Sequence, residues 1–207
     1  MSEKPLKDWP VVAITLNPIK GTRNDYYAFC DFAAVQYDGW RQTVVDCRVR
    51  CLDHMGELNC IGDFTDKEAI RFGLQGWDYI ERARHAGDVI EDLCREAVGC
   101  VAVAVNAFLC RRLLLEAVRK AERTGYTFDK KNVFCVREKS RWIDLGLWRR
   151  EAERRGLSPE PFSGLKLAPL PRANEALDRL PVLAKALGVL DWPLSRVLDW
   201  QDTLPPF

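Results

Sequence analysis

Residues 101–105 read Val-Ala-Val-Ala-Val, and only Asn106 separates them from the strongest helical pattern in the chain. A run this short, with no polar side chain, suits a strand covered on both faces at the centre of a sheet. In residues 107–124 the apolar side chains Leu109, Leu113, Leu114, Ala117, Val118 and Ala121 recur at helical spacing, and Gly125 ends the pattern. A buried strand feeding an amphipathic helix needs helices on both sides of its sheet, which points to an α/β architecture.

The flanking segments complete that layout. Residues 11–16 read as a first strand, 21–25 as a turn, and 26–37 as a second strand rich in aromatic and β-branched residues. Asp38-Gly39 is a hairpin turn signal. In residues 42–51 Thr43, Val45, Cys47, Val49 and Cys51 fall on one face and Asp46, Arg48 and Arg50 on the other, as in a half-buried antiparallel strand. The expected fold is α/β, with an antiparallel opening meander flanked by helices. Short helices are expected from Thr65 and over 76–84, and Asp88 is expected to cap a helix over 89–98. Residues 132–136 suit a strand or a loop. A basic helix over 145–155 stops at Gly156, and the Pro-rich stretch 158–171 reads as a linker. The last helix, 172–187, should break or restart at Pro181, which has no N–H for the Leu177 carbonyl. Residues 1–188 form the domain, followed by an aromatic tail, 189–207, in which Leu-Asp-Trp occurs at 190–192 and 198–200.

Composition narrows the function classes. With 207 residues, 47% of them hydrophobic, the chain can bury a full core in one domain, which excludes global disorder. Lys and Arg number 31 against 30 Asp and Glu, so bulk positive charge cannot hold the protein to nucleic acid, although a local basic face can. No apolar run reaches membrane-spanning length, and the first ten residues carry no signal-like core. The expectation is a cytoplasmic protein with no membrane contact. Its eight cysteines are then reduced, buried thiols. His54 and His85 are the only histidines, which restricts acid–base chemistry.

The order of segments resembles the DEDDh 3′–5′ exonucleases, the family of polymerase proofreading subunits, over roughly residues 11–187. Val12-Ala13-Ile14-Thr15-Leu16-Asn17 resembles the family's first strand, which ends in Asp-x-Glu-Thr-Thr-Gly, and Phe29-Cys30-Asp31-Phe32-Ala33-Ala34-Val35 its second. Phe72-Gly73-Leu74-Gln75-Gly76-Trp77 falls where the family has His-Gly-Ile-Thr. Val103-Ala104-Val105-Asn106-Ala107-Phe108-Leu109-Cys110 is similar to Val-Ala-His-Asn-Ala-x-Phe-Asp. Trp142-Ile143-Asp144-Leu145 is similar to the segment before the next helix, and Arg172-Ala173-Asn174-Glu175-Ala176-Leu177-Asp178-Arg179 to the final His-x-Ala-x-x-Asp helix.

The resemblance implies a ribonuclease-H-like mixed sheet, and a two-metal nuclease built on four carboxylates and a general-base His. On this sequence those five positions hold Thr15, Asn17, Cys110, Asn174 and Arg179. The expectation is therefore a pseudo-exonuclease without catalytic residues, resident metal or other cofactor. It would act as a non-catalytic subunit or adaptor for a partner protein, for a second copy in a homodimer, or for single-stranded DNA or RNA. Arg179 would place a cation where a metal sits in the family. Asn106, Arg111, Arg112, Trp142 and Arg179 are the candidate nucleic-acid contacts, with Arg141, Trp148, Arg149, Arg150, Arg154 and Arg155 extending the track. Trp192, Trp200, Pro205, Pro206 and Phe207 could dock on a partner or fold back on the sheet. One alternative is an active 3′–5′ exonuclease with an unorthodox metal site drawn from Asp25, Asp31, Asp144 and Asp178. The other is a zinc-stabilised interaction module using Cys47, Cys51, His54 and Cys60, at a spacing unlike that of ordinary zinc fingers.

Overall fold

The computed structural model describes residues 4–20, 27–37, 44–52, 83–84, 86–123, 125–129, 142–157 and 172–205. The strands are β1 (Val11–Lys20), β2 (Tyr27–Tyr37), β3 (Val44–Leu52), β4 (Ala83–Arg84), β5 (Val101–Ala104) and β6 (Trp142–Asp144). They form one sheet in the order β4-β3-β2-β1-β5-β6. The helices are α1 (Ala86–Ala97), α2 (Ala107–Arg123), α3 (Leu145–Arg154), α4 (Arg172–Leu187) and α5 (Leu194–Asp202).

Successive side chains of a strand point to opposite faces, so each central strand feeds two cores. Val12 and Ile14 of β1, Ala102 and Ala104 of β5, and Trp142 of β6 join α1 and α2 on one face. Val11 and Ala13, Val101 and Val103, and Ile143 join α3, α4 and α5 on the other. All four β5 residues are buried, as the unbroken apolar run requires. The α2 stripe carries Cys110, Leu113, Leu114, Val118 and Ala121 into the first core.

The ends of the described chain meet beside the second core. The Leu6 and Lys7 amides donate to the Trp192 and Leu190 carbonyls at 2.8 and 3.1 Å, and Pro5 bridges Pro193. Lys7 Nζ lies 2.6 Å from Asp191, and the Leu6 side chain is fully buried.

Several expectations need correction. A mixed sheet defined by an antiparallel opening meander does not describe the pairing as a whole. Three of the five pairings are parallel, β1 with β5, β5 with β6 and β3 with β4; β2 runs antiparallel to β1 and to β3. Ala83 and Arg84, expected at the end of a helix, form β4 beside Cys51 and Leu52. Asp88 lies inside the first turn of α1, which begins at Ala86. Helix α4 runs through Pro181. Burial of Leu177, Leu180, Leu183, Ala184 and Leu187 along one side holds the helix together across the missing donor. The turns at 21–25 and 38–39, the helix from Thr65, the segment 132–136 and the linker 158–171 lie outside the described residues.

Candidate functional site

Because β1, β5 and β6 are mutually parallel, their carboxyl ends lie at one end of the sheet, where α/β sheets place ligands. Asp144 ends β6 there, and its carboxylate serves two helices. Oδ2 accepts from the Ala107 amide of α2 at 2.8 Å, and Oδ1 accepts from the Leu147 amide of α3 at 3.0 Å. Asn106 Oδ1 accepts from the Leu109 amide at 2.8 Å, so the first turn of α2 already has its acceptors. Burial pushes the Asp144 carboxyl above its ordinary value, against the pull of the backbone amides of Leu147, Ala107, Gly146 and Phe108. Asp144 is thus committed to joining α2, α3 and β6.

Cys110 lies one turn into α2, where the resemblance implies a metal-holding carboxylate. It is buried, and its Sγ donates to the Ile14 carbonyl of β1 at 3.7 Å. Thr15 and Asn17 follow Ile14 on β1, paired with Ala33 and Asp31 of β2. Asn174 and Arg179 lie on α4, which packs on β1, β2 and β5. Helix α2 packs on β1 from one face of the sheet, and α4 packs on it from the other. Arg179 is only 8% exposed. Neighbouring Asp178 is exposed, and Asp25 lies outside the described residues. Among the described residues no group of three or more His, Cys, Asp or Glu could hold a metal ion. Of the four zinc candidates, Cys47 and Cys51 lie on β3 opposite Val35 and Asp31, and His54 and Cys60 are outside the described residues.

The expected nucleic-acid track changes most. Trp142 and Trp148 are 3% and 0% exposed, in opposite cores, and cannot stack on a base. Arg149 pairs with Glu153 at 2.7 Å, and Arg154 and Arg155 both pair with Glu151, at 2.7 and 2.6 Å. The hydrogen bond from Arg154, reinforced by Arg155, pulls the Glu151 carboxyl down to about 2 against the cost of its burial. Arg141 lies outside the described residues. Trp200 contacts Trp148 and Trp192 at ring distances of 5.9 and 6.0 Å, so the tail folds back onto the sheet's helical layer. Arg112 is exposed and Arg111 half-buried. Phe108, absent from the sequence candidates, is 70% exposed. Its signal was present: it is a large apolar residue off the α2 stripe.

No family model matches the sequence, and no curated protein matches it. Solved structures do. A 3′-exonuclease described as recognising the 3′ end of the histone mRNA stem-loop superposes with a TM-score of 0.56 at 12% identity, over 92% of this chain and 66% of that one. The nuclease domain of 3′hExo, a DEDDh family member bound to rAMP, gives 0.51 at 12% identity, over 98% of each chain. In fold alone, the chain is distantly similar to DEDDh exonucleases. Cell-death related nuclease 4 (CRN-4) shares that fold, with a TM-score of 0.53 at 14% identity, over 94% of this chain and 65% of that one. The chain thus spans just under two thirds of two of these nucleases. No described helix is long and apolar enough to cross a membrane.

Proposed function

We propose that this chain is a non-catalytic relative of the DEDDh exonucleases, a binding component for single-stranded nucleic acid, a partner protein, or both. The observation that carries the reading is Cys110. Helix α2 meets β1 at Cys110, for which the resemblance implies a carboxylate, and the group present is a buried thiol that donates to the Ile14 carbonyl. A two-metal mechanism needs clustered carboxylates to hold ions that clamp the attacking and leaving oxygens. Asp144, the carboxylate that ends β6, is engaged by two helix N-termini. Arg179, at the position of the family's last Asp, has no carboxylate to hold a cation. Thr15, Asn17 and Asn174 have no carboxylate to offer. The test is incubation of 3′-labelled single-stranded DNA and RNA with the protein and Mn²⁺, resolved by length. The strands are expected to stay intact; metal-dependent shortening that copurifies with the protein overturns the reading.

A further inference from the structure

We propose that the outer face of α2 is a track for single-stranded nucleic acid, in which Phe108 stacks on a base and Arg112, Arg119 and Arg123 hold phosphates. The proposal rests on the binding role above and gives it a surface. Phe108 is 70% exposed, the most exposed of the large described hydrophobics. Arg112, Arg119 and Arg123 are exposed too. At about 100° per residue these four side chains fall within about 60° of one another. They face away from Cys110, Leu113, Leu114, Val118 and Ala121, which enter the core. Four residues of helix advance about 6 Å, so Arg112 lies roughly one nucleotide spacing along the axis from Phe108.

The chemistry selects the occupant. Aromatic rings beside a cationic groove are what single strands require, because every base offers a π-face and every linkage an anion. Glu116 and Glu122 flank the row, and α2 still carries five Lys or Arg against these two acids. Val105, 37% exposed, adds a small apolar edge next to Phe108. An apolar protein partner would make no use of the excess of five Lys or Arg over two acids on α2, and an acidic peptide would leave the ring without a stacking partner. The track also keeps clear of the α2 N-terminal amides that Asp144 and Asn106 occupy.

The test is fluorescence anisotropy of a 5′-labelled oligo(dT) and oligo(U) of about a dozen nucleotides, without divalent ions, at several salt concentrations. Phe108→Ala is expected to weaken binding about tenfold, and the loss should be similar across sequences. Arg112→Glu and Arg119→Glu are each expected to lower the salt slope by about one unit. All three changes are at exposed positions and should leave the melting temperature in place. No binding, or a Phe108→Ala affinity within twofold of the parent, overturns the proposal. So does displacement of the oligonucleotide by oligoglutamate at equal charge concentration. Strand length with Mn²⁺ decides the non-catalytic reading and metal-free affinity decides the track, so the two fail separately.

Discussion

The Asp144 amide donates to Gln201 Oε1 at 2.8 Å, while Gln201 Nε2 donates to the Trp142 carbonyl at 3.0 Å. A single side-chain amide from α5 thereby takes the place of a neighbouring strand along β6. That strand lies at the end of the sheet order, where unpaired backbone groups invite further pairing. The β6 edge is closed by the C-terminal helix.

Gln201→Ala leaves a buried amide and a buried carbonyl unsatisfied, at a cost of about 2 to 4 kcal/mol. Gln201→Glu keeps the acceptor for Asp144 but sets a carboxylate oxygen against the Trp142 carbonyl, so it is expected to cost at least as much. Urea titration of both variants checks this; equal stability to the parent would mean that the edge seal is incidental.

Asp144 and Glu151 titrate in opposite senses. The Asp144 carboxyl is raised by burial, so the stability tied to its protonated form is complete below its ordinary value and falls as pH rises through the raised one. The Glu151 carboxyl is lowered from 4.5 to about 2, so its contribution is complete above 4.5 and is lost as pH falls toward 2. Glu151→Gln should flatten the acid limb of the urea midpoint between pH 4.5 and 2, and Asp144→Asn should flatten the loss as pH rises above the ordinary carboxylate range.

Gly87 lies under the Tyr126 ring. A Cβ added there would come within 2.5 Å of the ring carbons. Tyr126 also donates to Asp88 at 2.8 Å and reaches Glu91 at 3.2 Å, fastening residues 125–129 to α1. Gly87→Ala is expected to destabilise the protein by about 1 to 3 kcal/mol. Combining it with Tyr126→Ala should give a smaller total than the sum of the two single changes, measured as a double-mutant cycle.

Cys110→Asp restores the family's residue type at a buried position facing a carbonyl. Without its companions, that carboxylate should cost about 3 kcal/mol. Mn²⁺ should not recover the lost melting temperature. Full recovery by Mn²⁺ would mean that a metal-holding set survives around β1.

Local patterns made much of this fold legible. The bare apolar run of β5 and the stripe of α2 each state a period and a burial, and both elements occupy the positions read for them. Asp144 was less clear, because its double-capping role depends on β5 and β6 lying side by side. Leu-Asp-Trp shows the limit of local reading: residues 190–192 form a turn and the same tripeptide at 198–200 is helical. β4 has no period in two residues and exists only through pairing with β3. The sequence leaves Trp142 and Trp148 open between stacking on a base and packing in a core, and the strand and helix they belong to turn both into the core. Phe108 is the converse case, visible as soon as the α2 stripe is drawn.

The backbone bonds from Leu6 and Lys7 to Trp192 and Leu190 also set an order of events during synthesis. The core beneath α3 and α4 is closed by Val189, Leu194 and Val197, and the β6 edge by Gln201. A ribosome-bound chain must therefore display Leu6, Trp148 and an open sheet edge until residues near 201 leave the exit tunnel. For that interval the β6 edge stands open and the second core unfinished.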